Sequence, residues 1–443
     1  MTTPASGSAP VTTYERVQSA PPPGADFDAV AQHMYGLMVR NVATDGFVFQ
    51  APGTQTWSKP GCIIASPSYP ADLSSIDQDY VFHWTRDAAL TAFELVAAQQ
   101  VPGTPSSMLS DYVRFSRACQ TAPGAPLHRG AYRIDASARP WSDQSDGPAL
   151  RILAVLQALP LLDADAATAA EEVVATDTEF LLAHYQEPTT NLWEEVTGQS
   201  FFARSVQLRC FRELVATGRS GTPAQEAADW LAAALDAHWD GTRYRSVLGE
   251  VPGGYDPNID IVCAAVYGAV PLTDTRLLAT LAELRATWTE GPAAYPVNAA
   301  DAAQGLGPLF GRYPGDHYDG DVSDPDVVGG HPWALCTANV AELHYRLATA
   351  VQASGSLPLD ALSTPFFAPL GITAASSPAD AYAALRDAGD WMMRALVYHS
   401  DHLELSEQFD GTTGYEKSVR DLTWSYAAFL SAARARSGNA VRC

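Results

Sequence analysis

Lysine is nearly missing from this chain: of 443 residues only Lys59 and Lys417 are lysines. Neither lies in a recognisable motif, so P-loop and lysine-imine chemistry are nearly excluded by supply. Positive charge is short in general, with 27 Lys and Arg against 50 Asp and Glu and a net charge of −23 at pH 7. Such a surplus repels phosphate backbones and anionic headgroups, which argues against nucleic acid and membrane surfaces as partners. No apolar run reaches the ~20 residues of a bilayer span. The opening residues lack the basic head and apolar run of a secretory leader, which points to the cytoplasm unless a leader has been removed. The six cysteines show no CxxC or metal-ligand spacing and are expected to pack mostly as buried, reduced thiols. The ten histidines form no HxxxH pair, and no nucleophile elbow supports a triad, so no histidine is assigned a catalytic role and no metal or cofactor is expected.

What is present is apolar periodicity. The hydrophobic share is 47%, enough for a large core. Helical periodicity marks twelve segments, near 26–42, 84–99, 104–120, 148–162, 165–185, 200–217, 222–239, 256–268, 272–288, 336–353, 378–398 and 419–436. The segment opening at Asp146 is apolar all round, as a helix buried on every side would be, with Asp146 as its N-cap. By contrast, 222–239 is polar on one face and carries Trp230, Leu231, Leu235 and Trp239 on the other, as an outer helix would. Inner and outer members suggest an all-α toroid of six hairpins, an (α/α)6 barrel, although periodicity alone also permits an irregular bundle or a solenoid. The expected organisation is a tail at 1–25 and a single domain at 26–443.

Chemistry-bearing residues concentrate in four loop segments: 80–87 (YVFHWTRD), 191–196 (NLWEEV), 311–316 (GRYPGD) and 405–410 (LSEQFD). Each mixes aromatics with carboxylates or Arg. Flat rings stack on the apolar faces of sugars while charged groups bond to hydroxyls, so carbohydrate is the natural ligand class. Glycosidic hydrolysis needs one carboxyl group to protonate the leaving oxygen and another to activate water or act as nucleophile. Glu194 and Glu407 fit that need, as would many other carboxylates in so acidic a chain.

Several segments in register sharpen the reading. YVFHWTRDAAL (80–90), SDGPALR (145–151), NLWEEVTGQSFFARSVQLR (191–209), GRYPGD (311–316), HPWALCT (331–337), LSEQFD (405–410) and SVRDLTWSYAAFL (418–430) resemble, in the same order, the glucoamylases of glycoside hydrolase family 15. The resemblance extends from about Phe27 to Ala433. It implies an (α/α)6 barrel whose end pocket takes the non-reducing end of an α-gluco-oligosaccharide and releases β-D-glucose with inversion. It also implies that Glu194 is the general acid, Glu407 the general base, and Glu195 a binder of the leaving sugar. Arg86 and Asp87 resemble the pair that grips the terminal glucose, and Arg312 a second such arginine. Tyr80, Trp84, Trp193, Tyr313, Trp333 and Trp424 resemble pocket walls.

Physical readings stand beside these roles. Leu192 and Trp193 are expected to help Glu194 hold its proton by disfavouring the anion, while Glu407 stays ionised. Arg86 and Asp87 could equally be a helix-start ion pair, Glu195 a structural carboxylate, and Trp333 and Trp424 core. The chain departs from the family around 138–145 (ARPWSDQS), which leaves Trp141 a looser match. After Asp316 a long acidic loop places Tyr318 and the outer sugar contacts in question, and its Asp319, Asp321, Asp324 and Asp326 read as a solvated loop, with calcium the other option. Trehalose or isomaltose hydrolysis, phosphorolysis and a non-catalytic sugar sensor remain as alternatives.

Overall fold

The computed structural model describes residues 27–67, 80–99, 106–320 and 327–438. The expected tail at 1–25 lies outside these residues, as do Asp321, Asp324 and Asp326 of the acidic loop. All twelve expected helices form: α1 (Phe27–Met38), α2 (Thr85–Ala97), α3 (Ser107–Gln120), α4 (Asp146–Ala158), α5 (Ala164–His184), α6 (Phe201–Ala216), α7 (Thr222–Asp236), α8 (Asp260–Tyr267), α9 (Thr275–Thr289), α10 (Ala334–Ser354), α11 (Pro378–His399) and α12 (Thr423–Arg436). Two short helices in connections, Pro296–Ala302 and Thr364–Phe367, are additional.

The even-numbered helices pack in a closed ring, α2 on α4, α4 on α6, α6 on α8, α8 on α10, α10 on α12, and α12 back on α2. Each odd-numbered helix covers the inner helix that precedes it in the chain, and α1 covers α12, so the first helix seals the last. This is the (α/α)6 barrel. Because each inner helix follows an antiparallel outer one, all six inner helices begin at the same end. The short strand pairs, such as His83–Trp84 with Ala131–Tyr132 and Gln408–Phe409 with Glu416–Lys417, lie in the connections that lead into or flank inner helices.

Burial follows the sequence pattern with two corrections. In α4 every residue from Asp146 to Val155 is buried, as its all-round apolar character requires. Asp146, however, is not the N-cap. Ser145 occupies that position, and the Asp146 side chain turns into the interior to meet Arg86 at 3.3 Å. In α7 the buried face is Ala224, Ala227, Ala228, Leu231 and Leu235, while Trp230 and Trp239 are only half-buried. Alanines let α7 approach α6 closely, which displaces Trp230 to the edge, where it meets Tyr185 and Arg204. The five described cysteines are buried and unbridged. Among the described residues, no helix is long and apolar enough to cross a membrane.

A fully buried ion pair ties the inner ring to the outer. Arg151 of α4 bonds both oxygens of Asp177 of α5, each at 2.7 Å, and both side chains are buried. Removing one partner strands a buried charge, which costs about 3–5 kcal/mol, whereas an apolar pair of similar volume is near neutral. Asp177→Ala should therefore lower the urea midpoint strongly, and Arg151→Met with Asp177→Leu should restore most of it. A single variant within ~1 kcal/mol of wild type would refute this account.

Candidate active site

At the end where the inner helices begin, a cavity of about 380 Å3 opens. Its lining includes Tyr80, Trp84, Arg86, Asp87, Trp141, Leu192, Trp193, Glu194, Trp333, Glu407 and Trp424, together with Tyr318, whose place was in question, and Ala65 and Leu422, for which no role was expected. Its size is in the range of small-molecule pockets, ~300–1,000 Å3. Trp141 is 39% exposed at the rim, whereas Arg86, Asp87 and Trp424 are buried at helix starts and form the deep end.

Glu194 is positioned by a tight loop. Asn191 accepts from the backbone N–H groups of Glu195 and Val196 through its side chain, and Glu194 N–H bonds back to the Asn191 carbonyl. The turn forces Glu194 to φ +66°, a left-handed conformation rare for a residue with a side chain and typical of functional sites. Its Oε1 accepts from Trp84 Nε1 at 2.8 Å and Gln144 Nε2 at 2.7 Å, and its Oε2 from Trp141 Nε1 at 2.6 Å. The apolar cover expected from Leu192 and Trp193 is therefore not what surrounds this carboxyl: both line the cavity, but its oxygens face N–H donors. Trp193 instead bonds Asn258 through its own Nε1 at 2.9 Å, which fixes the loop.

Glu407 stands on a different support. Its backbone pairs with Val419 and Ala334, and its carboxyl accepts from Tyr80 at 2.9 Å, Tyr318 at 3.2 Å and Ser418. Burial pushes this carboxyl up to about 7, against the lowering effect of the three hydroxyls and Arg312. The ionised state expected of Glu407 is therefore opposed by its burial. Burial outweighs its hydrogen bonds. The two carboxyls share no donor, and Tyr80 and Trp84, each bonded to one of them, sit side by side with ring centroids 6.0 Å apart.

At the deep end, the Arg86 guanidinium is held by Gln144 at 2.5 Å and lies 3.4 Å from Asp87, 3.3 Å from Asp146 and 3.7 Å from Glu194. Arg86 and Asp87 form an ion pair at a helix start, and both line the cavity. Asp87 Oδ2, though ion-paired with Arg86, accepts no hydrogen bond, and burial pushes this carboxyl up to about 6, opposed by Arg86 and reinforced by Glu194.

Glu195, Arg312 and Tyr313 do not line the cavity and form a cluster beside its wall. Glu195 meets Arg312 at 2.9 Å and Tyr313 at 2.8 Å, and Arg312 is bonded bidentately to Asp316. The Arg312 guanidinium stands 5.0–5.4 Å from the rings of Tyr318, Trp333 and Trp193. Arg312 thus stands behind the aromatic wall, outside the lining of the cavity. Gln144 and Asp146 were missed as site residues although Asp146 lies inside a quoted motif. Being a plausible cap, it gave no separate signal of its pairing with Arg86.

With this geometry in view, the chain can be set beside known proteins. The family described as glycosyl hydrolases family 15 matches residues 33–434. The chain belongs to that family. It is similar to a probable glucoamylase of Schizosaccharomyces pombe, 28% identical over 84% of this chain and 84% of that protein. Glucoamylase 1 of Rhizopus oryzae is 26% identical over 83% of this chain and 66% of its own length. Among solved structures, the family 15 glucoamylase from Hypocrea jecorina superposes with a TM-score of 0.77 at 26% identity, covering 94% of this chain and 72% of that one.

The electrostatics of the family 15 site give one direct expectation. Because the Glu194 charge helps push the Asp87 carboxyl up, Glu194→Gln should lower the Asp87 titration from about 6. Carboxyl-carbon NMR of labelled aspartates would follow it, and an unchanged or raised value would show that the two carboxyls do not sense one another.

Proposed function

We propose that this chain is a glucoamylase, an exo-acting hydrolase that removes glucose from the non-reducing ends of α-1,4-linked gluco-oligosaccharides with inversion. The family match and the glucoamylase relatives support an α-glucoside hydrolase that releases glucose. The observation that carries the mechanism is the placement of Glu194 and Glu407 on one cavity with wholly separate hydrogen-bond partners.

In this reading the terminal glucose enters past Trp141 and stacks on the tryptophan walls, while Asp87 and Arg86 receive its hydroxyls at the deep end. Only a chain end fits so buried a floor, which makes the enzyme exo-acting. Glu194 gives its proton to the glycosidic oxygen as the C1–O bond breaks. A water on the opposite face attacks C1 and passes a proton to Glu407, leaving the β anomer. Of the Glu194 oxygens, Oε2 has a single donor, Trp141 at the rim, and is the one that carries the transferred proton. Phosphorolysis is disfavoured because Arg86 is already matched by Asp87, Asp146 and Glu194, and Arg312 by Asp316 and Glu195.

Maltotriose hydrolysis followed by proton NMR should show β-glucose as the first product, and initial α-glucose would rule out inversion. Glu194→Gln and Glu407→Gln should each lower turnover of maltotriose by ~10²–10⁴-fold or more. With α-glucosyl fluoride, whose leaving group needs little acid help, Glu194→Gln should recover much of its activity and Glu407→Gln should not. The opposite pattern would exchange the two roles.

The pH dependence follows from the base. Glu407 must be ionised to accept the proton, so kcat/KM should fall as pH drops through its titration near 7 in the free enzyme. Ser418→Ala removes a donor to the anion and should move this acid limb to higher pH. A limb that stays in place or moves to lower pH would show that Ser418 does not stabilise the ionised form.

A further inference from the structure

Tyr318 reaches Glu407 from a segment whose two sides are anchored differently. On its N-terminal side the Tyr318 N–H bonds Asp316 Oδ1 at 2.9 Å, and Asp316 is fixed by the buried Arg312. On its C-terminal side three contacts come from the hairpin that also carries Glu407. The Gln408 side chain accepts from Gly320 N–H at 3.0 Å and donates to the Tyr318 carbonyl at 3.3 Å. Lys417, paired with Gln408 across Gln408–Phe409 and Glu416–Lys417, meets the Asp319 carboxylate at 2.7 Å, and His331 Nε2 meets the same oxygen at 3.1 Å.

The histidine needs no charge for this. Its Nδ1 accepts the Gly411 N–H at 3.2 Å, which places the ring proton on Nε2, the atom that lies 3.1 Å from Asp319 Oδ1 without hydrogen-bond alignment. Burial lowers its proton affinity, and Asp319, Asp410, Asp316 and Lys417 are the charges that act on it. Lys417 is therefore the cation that neutralises Asp319. Both side chains are less than one-fifth exposed, so Asp319 is not the solvated loop aspartate its sequence context suggested.

We infer that Asp319, clamped by Lys417 and His331, is a positioning residue: it locks the Tyr318 segment onto the Glu407 hairpin, so that the Tyr318 hydroxyl holds the base in the orientation water activation requires. The inference rests on the hydrolase reading and on Glu407 as its base. Of the groups around Glu407, Tyr80 and Ser418 also bond it and Arg312 acts on it from behind, but only Tyr318 lies on the segment that Asp319 anchors.

The test is kinetic, on the full chain with maltotriose, using Asp319→Asn, Lys417→Met and Lys417→Arg. Asp319→Asn and Lys417→Met should lower kcat roughly ten- to a hundredfold, as misplacement of a catalytic group by about an ångström does, with KM changed far less. Lys417→Arg keeps the cation and should retain most of the activity.

The pH profile separates a latch from simple charge. Removing the Asp319 anion through space would make Glu407 easier to ionise and move the acid limb to lower pH. Loss of the Tyr318 bond moves it to higher pH, which is the expected result for Asp319→Asn. In a Tyr318→Phe background, Asp319→Asn should have little further effect on kcat, since its action runs through that hydroxyl. Additive losses, a limb moving down, or a melting temperature that falls while kcat and pH profile stay put would each overturn the latch. If those results come from a wild-type chain that releases glucose and loses that ability in Glu407→Gln, the hydrolase reading survives. A wild-type chain that hydrolyses no α-glucoside removes both.

Discussion

The site is organised around one buried cation. Taking a guanidinium out of water costs several kcal/mol unless opposite charge and hydrogen bonds surround it. Arg86 is 5% exposed, and its surroundings come from three separate parts of the chain: Asp87 beside it on α2, Gln144 and Asp146 at the start of α4, and Glu194 on the loop before α6. Satisfying that one charge fixes how two neighbouring inner helices and the Glu194 loop stand relative to one another. Asp87 and Glu194, needed at the floor and the wall of the cavity, are thereby placed as counter-ions of a shared partner.

The closed ring makes this economical. Six inner helices that start at one end bring Trp84–Asp87, Asp146, Trp333 and Trp424 together without any long loop having to carry them. Side chains on helix starts are held by the packing of the ring, so their geometry is inherited from the core. The loops then add what helices cannot: the left-handed turn at Glu194, and the hairpin that presents Glu407 with Ser418, itself at φ +65°, against it.

Much of this was legible in the sequence. The twelve helices follow from 3.6-residue periodicity over long segments, and the barrel from the alternation of all-round apolar α4 with one-sided α7. Eleven of the fourteen proposed site residues line the cavity because the family motifs mark loop residues whose types are dictated by chemistry. What was not legible depends on distances between remote residues. Nothing in the run 311–316 shows that Asp316 claims the Arg312 guanidinium and withdraws it behind the wall. Likewise Asp146 reads as a cap because sequence shows only its neighbours, whereas its partner lies sixty residues away. Lys417 gave no signal at all, having no motif and a partner nearly a hundred residues upstream.

The contrast between the two carboxyl environments also bears on their roles. All three hydrogen-bond donors to Glu194 are N–H groups, two indoles and an amide, and these can only donate. They serve the carboxylate that remains after a proton has been given away. All three donors to Glu407 are hydroxyls, from Tyr80, Tyr318 and Ser418, and a hydroxyl can turn from donor to acceptor. Such partners follow a carboxyl group that begins as the anion and ends holding a proton. A proton donor is best matched to its product state by fixed N–H groups, and a proton acceptor by partners able to reverse. The distribution of donor types therefore supports the proposed roles, acid for Glu194 and base for Glu407, independently of any motif.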